Sequence, residues 1–167
     1  MYELLKLSRP RFWTYLAGPF LIGYVFVATR GDFFAFNFWY GLFYFLVPAN
    51  IFLYGINDVF DQDTDHINKK KKGRELVATK ENATLYKIAV IISLILSIPL
   101  FVTLAYLGKL LLIVFLGLSY AYSAPPFRFK ARPVLDFTSN VLYIIPGLIG
   151  FAELTGVLPV WQLLVGL

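Results

Sequence analysis

The chain of 167 residues contains no cysteine, one histidine and one methionine. Disulfides, cysteine-based metal sites and thiol catalysis are therefore excluded. A histidine-based triad or metal site is not expected from His66 alone, and its place beside a charged segment reads as a solvated helix end. Charge is also scarce: 15% of residues are Asp, Glu, Lys or Arg, against about 25% in a typical soluble domain. With 59% hydrophobic residues and a mean hydropathy of +0.69, too little polar surface exists to coat a soluble globule. The same composition rules out a disordered chain.

What the chain does have is long apolar runs. A bilayer crossing needs about 20 apolar residues in a helix. Stretches at 12–29, 33–56, 85–107, 110–122 and 135–152 are expected to be spans, with 158–167 the start of a sixth. The run at 110–122 is short enough that a tilted or re-entrant helix is also expected to fit. Membrane barrel strands would alternate apolar and polar residues. Runs such as IAVIISLILSIPLFVTLAYL do not, so the fold class expected is an all-α, multi-span transmembrane bundle, a single domain over residues 1–167. No small-residue cleavage site follows MYELLKLSRPRFW, which reads as leading into a retained first span.

Cations set the expected orientation. With the N-terminus cytoplasmic, thirteen of the fifteen Lys and Arg residues fall on the inner side: Lys6, Arg9 and Arg11, seven between residues 69 and 87, and Arg128, Lys130 and Arg132. Arg30 and Lys109 remain outside. This is a strong positive-inside pattern, so the net charge of +5 reflects membrane topology and nucleic acid is not an expected partner. The expected location is the cell membrane, as a multi-pass protein. The sequence leaves the oligomeric state open.

Four of the ten acidic residues fall within eight positions, in NDVFDQDTD at residues 57–65. Carboxylates at a membrane edge are costly without cations, which makes them functional candidates. If the second helix continued through the cluster, Asn57, Asp58, Asp61 and Asp65 would share an arc of about 100°, with Asp63 on the far side. Asp58 and Asp65 would lie about 10 Å apart along the axis, so two ions or one ion with bridging waters would fit better than one directly bound ion. An all-oxygen set of Asp and Asn suits Mg²⁺, Mn²⁺ or Ca²⁺. The plainer alternative is a solvated acidic helix end balanced by neighbouring lysines. An EF-hand calcium loop fails for want of its Gly and terminal Glu.

The basic residues that follow divide by chemistry. Lys69, Lys70, Lys71 and Lys72 read mainly as a membrane anchor. Arg74 is the better anion ligand because guanidinium meets phosphate oxygens as a fork. In YSAPPFRFKARPVLD the two prolines stop the fourth helix. Arg128, Lys130 and Arg132 would point one way if that segment stays extended; phosphate binding and anchoring are both open. Asp136 is either a helix N-cap or a catalytic carboxylate. Of the 17 Phe, 11 Tyr and 3 Trp, most are expected to face lipid or pack the bundle, and a few lining a cavity could stabilise a carbocation.

The pattern N-D-x-x-D-x-x-x-D at Asn57, Asp58, Asp61 and Asp65 resembles the first aspartate-rich motif of the UbiA superfamily of intramembrane prenyltransferases. Arg9-Pro10 before the first span, Lys70 and Arg74 after the motif, and Tyr122-Ser123 followed by Pro-Pro and Arg-x-Lys agree with it. YSAPPFRFKARPVLD is similar to the lycopene elongase-like branch. The resemblance implies Mg²⁺-dependent transfer of an isoprenyl group from its diphosphate to a lipophilic acceptor within the membrane. It implies Asp58, Asp61 and Asp65 as metal-binding catalytic residues. Asn57, Lys70, Arg74, Tyr122, Ser123, Arg128 and Lys130 would then form the diphosphate site. Two departures stand out: Glu75 follows Arg74 where relatives carry Pro, and the family's second aspartate-rich motif is not in this chain. The expectation is an N-terminal part that is inactive alone, or active only with a missing partner. A small channel or divalent-cation carrier using the acidic cluster is the alternative, and it would place acids near mid-membrane on several spans.

Overall fold

The computed structural model describes residues 6–61 and 83–159. Among these residues every regular element is helical: α1 (Trp13–Val25), α2 (Phe36–Leu46), α3 (Pro48–Phe60), α4 (Ala83–Ile95), α5 (Ser97–Thr103), α6 (Tyr106–Ser123), α7 (Pro133–Ser139) and α8 (Ile145–Thr155), with short 3₁₀ turns between some of them. Four helical stretches are long and apolar enough to cross a membrane: Phe36–Phe60, Ala83–Thr103, Tyr106–Ser123 and Pro133–Thr155. At 13 residues, or about 20 Å, α1 is shorter than the 12–29 span expected. The fourth expected span is longer than 110–122: its helix runs Tyr106–Ser123 over 18 residues, or about 27 Å. The expected start of a sixth span lies almost wholly outside the described residues.

The Phe36–Phe60 stretch is interrupted at Val47, where Pro48 cannot supply a backbone donor. Asn50 repairs the break: its Nδ2 donates to the carbonyls of Phe45 and Leu46 at 2.9 and 3.0 Å. Both halves pack against the core, through Phe38, Tyr44 and Phe45 on one side of the break and Ala49 and Leu53 on the other. The fifth span is likewise segmented, from α7 through a 3₁₀ turn at Asn140–Tyr143 into α8, with Pro146 opening α8.

The core lies where α1, α2, α3, α6 and α8 meet. Phe20, Tyr24, Tyr44, Phe45, Leu112 and Phe115 are fully enclosed there. Phe45 packs on Phe20 and Phe115, with ring centroids 5.3 and 5.6 Å apart. The tightest crossing joins α1 to α8, where glycines on both helices let backbone meet backbone. The opposite surfaces remain apolar and exposed: Trp39, Ile91, Ile95, Val102, Ile113 and Phe137 all look outward. Apolar residues that are outward on long helices are what lipid contact requires.

At the end of the bundle away from the acidic cluster, Glu153 ties three elements together. It accepts the Ala105 N–H at the start of α6 at 2.8 Å, and the Asn37 amide at 2.5 Å. A carboxylate at a helix N-terminus is favoured by the helix dipole. Nearby, Asp32 accepts both the backbone N–H and the hydroxyl of Thr29 at 2.7 Å. Those donors hold its carboxyl below the usual carboxylate range.

Candidate active site

The helix that carries the acidic motif stops at Phe60, with Asp61 as its C-cap (φ −101°, ψ 7°). Continuous helix through the cluster therefore does not hold at Asp61. Asp63, Asp65, His66, Lys70, Arg74 and Glu75 lie outside the described residues. Among the described residues no group of three Asp, Glu, His or Cys side chains forms a metal cluster.

Asn57, Asp58 and Asp61 thus sit in the last turn of α3. This is an unfavourable place for carboxylates, because a helix C-terminus carries partial negative charge. Each carboxylate is met by cations from a remote part of the chain. The Arg9 guanidinium donates to Asp58 Oδ1 at 2.7 Å, and the Asp58 side chain is only 3% exposed. Arg9 also lies over the Tyr54 ring, 4.8 Å from its centroid. Asp61 takes two cations: Arg128 donates to Oδ1 at 2.9 Å and Lys130 to Oδ2 at 2.5 Å. Lys130 also donates to Asn57 Oδ1 at 2.8 Å, and the Ser123 hydroxyl donates to the same oxygen at 3.2 Å.

The polypeptide reaches these positions through unusual backbone. Among the described residues, the non-glycine positions with left-handed φ are Arg9 (50°) and Arg128 (41°). These are two of the three residues that bring cations to the motif. Such conformations cost of order 1 kcal/mol or more each and cluster at functional sites. The turn at Arg128 and the 3₁₀ segment Phe129–Ala131 also correct the extended reading of this stretch. Arg128, Lys130 and Arg132 do not project as one row; Arg128 and Lys130 converge on Asp61, and Arg132 is exposed at the start of α7.

Asp136 is not an N-cap. It lies inside the first turn of α7 and its Oδ1 accepts the Tyr122 hydroxyl at 3.0 Å. Of the expected site residues that are described, Asn57, Asp61, Ser123, Arg128 and Lys130 form one connected network. Asp58 is joined to Arg9, and Tyr122 to Asp136. Sequence reasoning did not put Arg9 in the site, and it left Asp136 open between a helix N-cap and a catalytic carboxylate. For Arg9 the available signal was the Arg-Pro pair ahead of the first span, which read only as a topological charge and a family feature.

The Asp58–Arg9 pair is enclosed, so removing its cation should be costly. Arg9→Met is expected to lower stability by about 3 kcal/mol, in the range for breaking a buried ion pair. Thermal unfolding in detergent checks this; an unchanged midpoint would show that the pair contributes nothing to the fold.

Matching the chain to family descriptions assigns residues 16–167 to the UbiA prenyltransferase family. The chain belongs to that family. Lycopene elongase/hydratase proteins are among its relatives. The one from Haloarcula japonica is 45% identical over 166 residues, covering 98% of this chain and 55% of the relative. The Haloferax volcanii protein is 44% identical, with coverages of 92% and 50%. The Corynebacterium glutamicum protein is 38% identical, with coverages of 93% and 54%. The chain therefore spans about half the length of the curated relatives it matches. No solved structure matches it.

Proposed function

We propose that this chain forms part of a membrane enzyme that transfers an isoprenyl group from its diphosphate to a carotenoid acceptor such as lycopene. Membership of the UbiA family supports prenyl transfer, and the names of the elongase/hydratase relatives support a carotenoid acceptor. The observation that carries the reading is the convergence of Lys130 and Arg128 on Asp61 and Asn57. It concentrates carboxylate, amide and cations at one helix end, the mixture that a metal diphosphate needs.

The donor set is compatible with Mg²⁺. It offers only oxygen, from Asn57, Asp58 and Asp61, and Mg²⁺ is typically held by one or two carboxylates together with waters and substrate phosphate oxygens. In this reading Asp58, Asp61 and Asp65 hold the metal, whose role is to offset negative charge on the departing diphosphate. Lys130 and Arg128, with Lys70 and Arg74, bind diphosphate oxygens. Arg9 pairs with Asp58 and orients its carboxylate. Ser123 and Lys130 hold the Asn57 amide with its oxygen toward them. Tyr122, oriented by Asp136, borders the reacting end. The apolar bundle keeps bulk water away from the allylic cation.

The test uses the intact protein in membranes with an isoprenyl diphosphate and lycopene. An elongated carotenoid is expected with Mg²⁺ present and none after chelation with EDTA. Equal product with EDTA would remove the metal from the proposal. Failure to elongate any carotenoid, with diphosphate consumed on another acceptor, would overturn the acceptor class.

A further inference from the structure

Two enclosed polar side chains, one on α3 and one on α6, stand apart from the acidic site. Asn50 and Ser119 are both completely enclosed. Among the described residues, neither Asn50 Oδ1 nor Ser119 Oγ has a hydrogen-bond partner. The Asn50 amide cannot simply be turned over, since its Nδ2 already serves two carbonyls, those of Phe45 and Leu46.

Their placement follows from two contacts that fix how the second span lies along α6. At the acidic end Ser123 bonds Asn57; farther along, the Phe45 ring meets Phe115. Asn50 lies two turns before Asn57 on the same face of α3, with Leu53 between them. Ser119 lies one turn before Ser123 on the same face of α6. Both polar residues therefore fall in the interval bracketed by those contacts. Ser119 is about 6 Å along the axis from Ser123, and Asn50 about 10 Å from Asn57. A row of polar groups thus leaves the acidic site and enters an otherwise apolar core.

Buried polar atoms without protein partners are the places where proteins hold ordered water. We propose that Asn50 and Ser119 bind a water molecule between α3 and α6, and that this water is the nucleophile when transfer ends in hydration. The second clause rests on the function proposed above. Water would donate to Asn50 Oδ1 and exchange a hydrogen bond with Ser119 Oγ, leaving an oxygen lone pair for an electrophile. Bonding of the prenyl cation to an acceptor double bond leaves a new cation on the acceptor. The water lone pair forms a C–O bond to that carbon, one O–H bond breaks, and its proton passes to the released diphosphate. Ser119 and Asn50 lie about 6 and 10 Å along the axis from the Asn57–Ser123 contact, a depth suited to the acceptor carbon beside the new C–C bond once a diphosphate fills the space next to Asp58 and Asp61.

Ser119→Ala in the intact protein separates the possibilities. A hydroxyl that binds water loses that bond, so the thermal midpoint should fall by a few degrees. A hydroxyl with no partner is a liability, and its removal should raise the midpoint or leave it unchanged; either result overturns the water site. A double-mutant cycle with Asn50→Ala should be non-additive if both groups share one water, and additive midpoint shifts count against it. With lycopene and an isoprenyl diphosphate, the ratio of hydrated to dehydrated elongated product should drop about fivefold in Ser119→Ala, as loss of one hydrogen bond implies. Ser119→Thr should restore it. An unchanged ratio with a lowered midpoint would keep the water and refute its use in hydration. Absence of elongated product from the wild-type protein would refute the proposed function instead, and the stability measurements would still decide the site.

Discussion

Asp61→Ala is expected to reduce Mg²⁺-dependent prenyl transfer by the intact protein roughly a thousandfold or more, the scale of losing a principal charge-stabilising group. Asp61 is where the site's charges meet: it pairs with Arg128 and Lys130 at the end of α3. Removing the carboxylate leaves both cations in place. Diphosphate should therefore still bind, and the loss should appear in turnover more than in KM. Membrane insertion should be unaffected, since it depends on the apolar runs and flanking cations and not on one carboxylate at a helix end. The measurement is single-turnover diphosphate release alongside carotenoid product, with membrane extraction as the control. Release at the original rate in Asp61→Ala would remove Asp61 from the reaction. Asp63→Asn is the companion variant. It neutralises a neighbouring carboxylate outside the N-D-x-x-D-x-x-x-D spacing, and it should retain most activity; an equal loss would refute the selectivity assigned to Asp58, Asp61 and Asp65.

Gly23→Ala should prevent the bundle from assembling. A Cβ at Gly23 would stand only 2.0 Å from the Gly147 carbonyl oxygen, and one at Gly150 would stand 2.5 Å from the Phe20 carbonyl oxygen. Both obstacles are backbone, so no rotamer change relieves them. The α1–α8 crossing exists because these glycines permit it, as small residues commonly do between membrane helices. Separating the two helices also displaces Phe20 and Tyr24 from the core and moves Arg9, which precedes α1, relative to Asp58. A destabilisation of about 3 kcal/mol or more is expected, at the upper end for overpacking. The readout is recovery of monodisperse protein in mild detergent together with its thermal midpoint. Gly18→Ala is the control in the same helix: a Cβ there meets nothing within 4 Å, and Ala favours helix over Gly by about 1 kcal/mol. Equal yields and midpoints for Gly23→Ala and Gly18→Ala would contradict the close crossing.

The helical membrane class and the neighbourhood of the site were legible in the residues because both are local properties. Apolar runs must satisfy their own backbone groups in lipid, which calls for helix. Asn57, Asp58 and Asp61 are close in sequence, so any path of the chain keeps them near one another. The Pro125-Pro126 pair likewise announced the end of the fourth helix, whereas the break before Pro48, which Asn50 closes, was not read from the sequence.

Which cation meets which carboxylate was a different kind of question. Arg9 reaches Asp58 across 49 residues, and Lys130 reaches Asp61 across 69. Charge counting assigned Arg9, Arg128, Lys130 and Arg132 alike to one side of a membrane. It could not tell that Arg128 turns inward through a left-handed backbone while Arg132 remains exposed. Nor could periodicity show that α3 ends at Phe60, or that Asp136 serves Tyr122 within α7 instead of capping its start. Composition and spacing determine what each segment can be in lipid. Partner choice depends on how closely α1, α3, α6 and α8 approach, which arises from packing of side chains and bare glycine backbone contributed by distant parts of the chain.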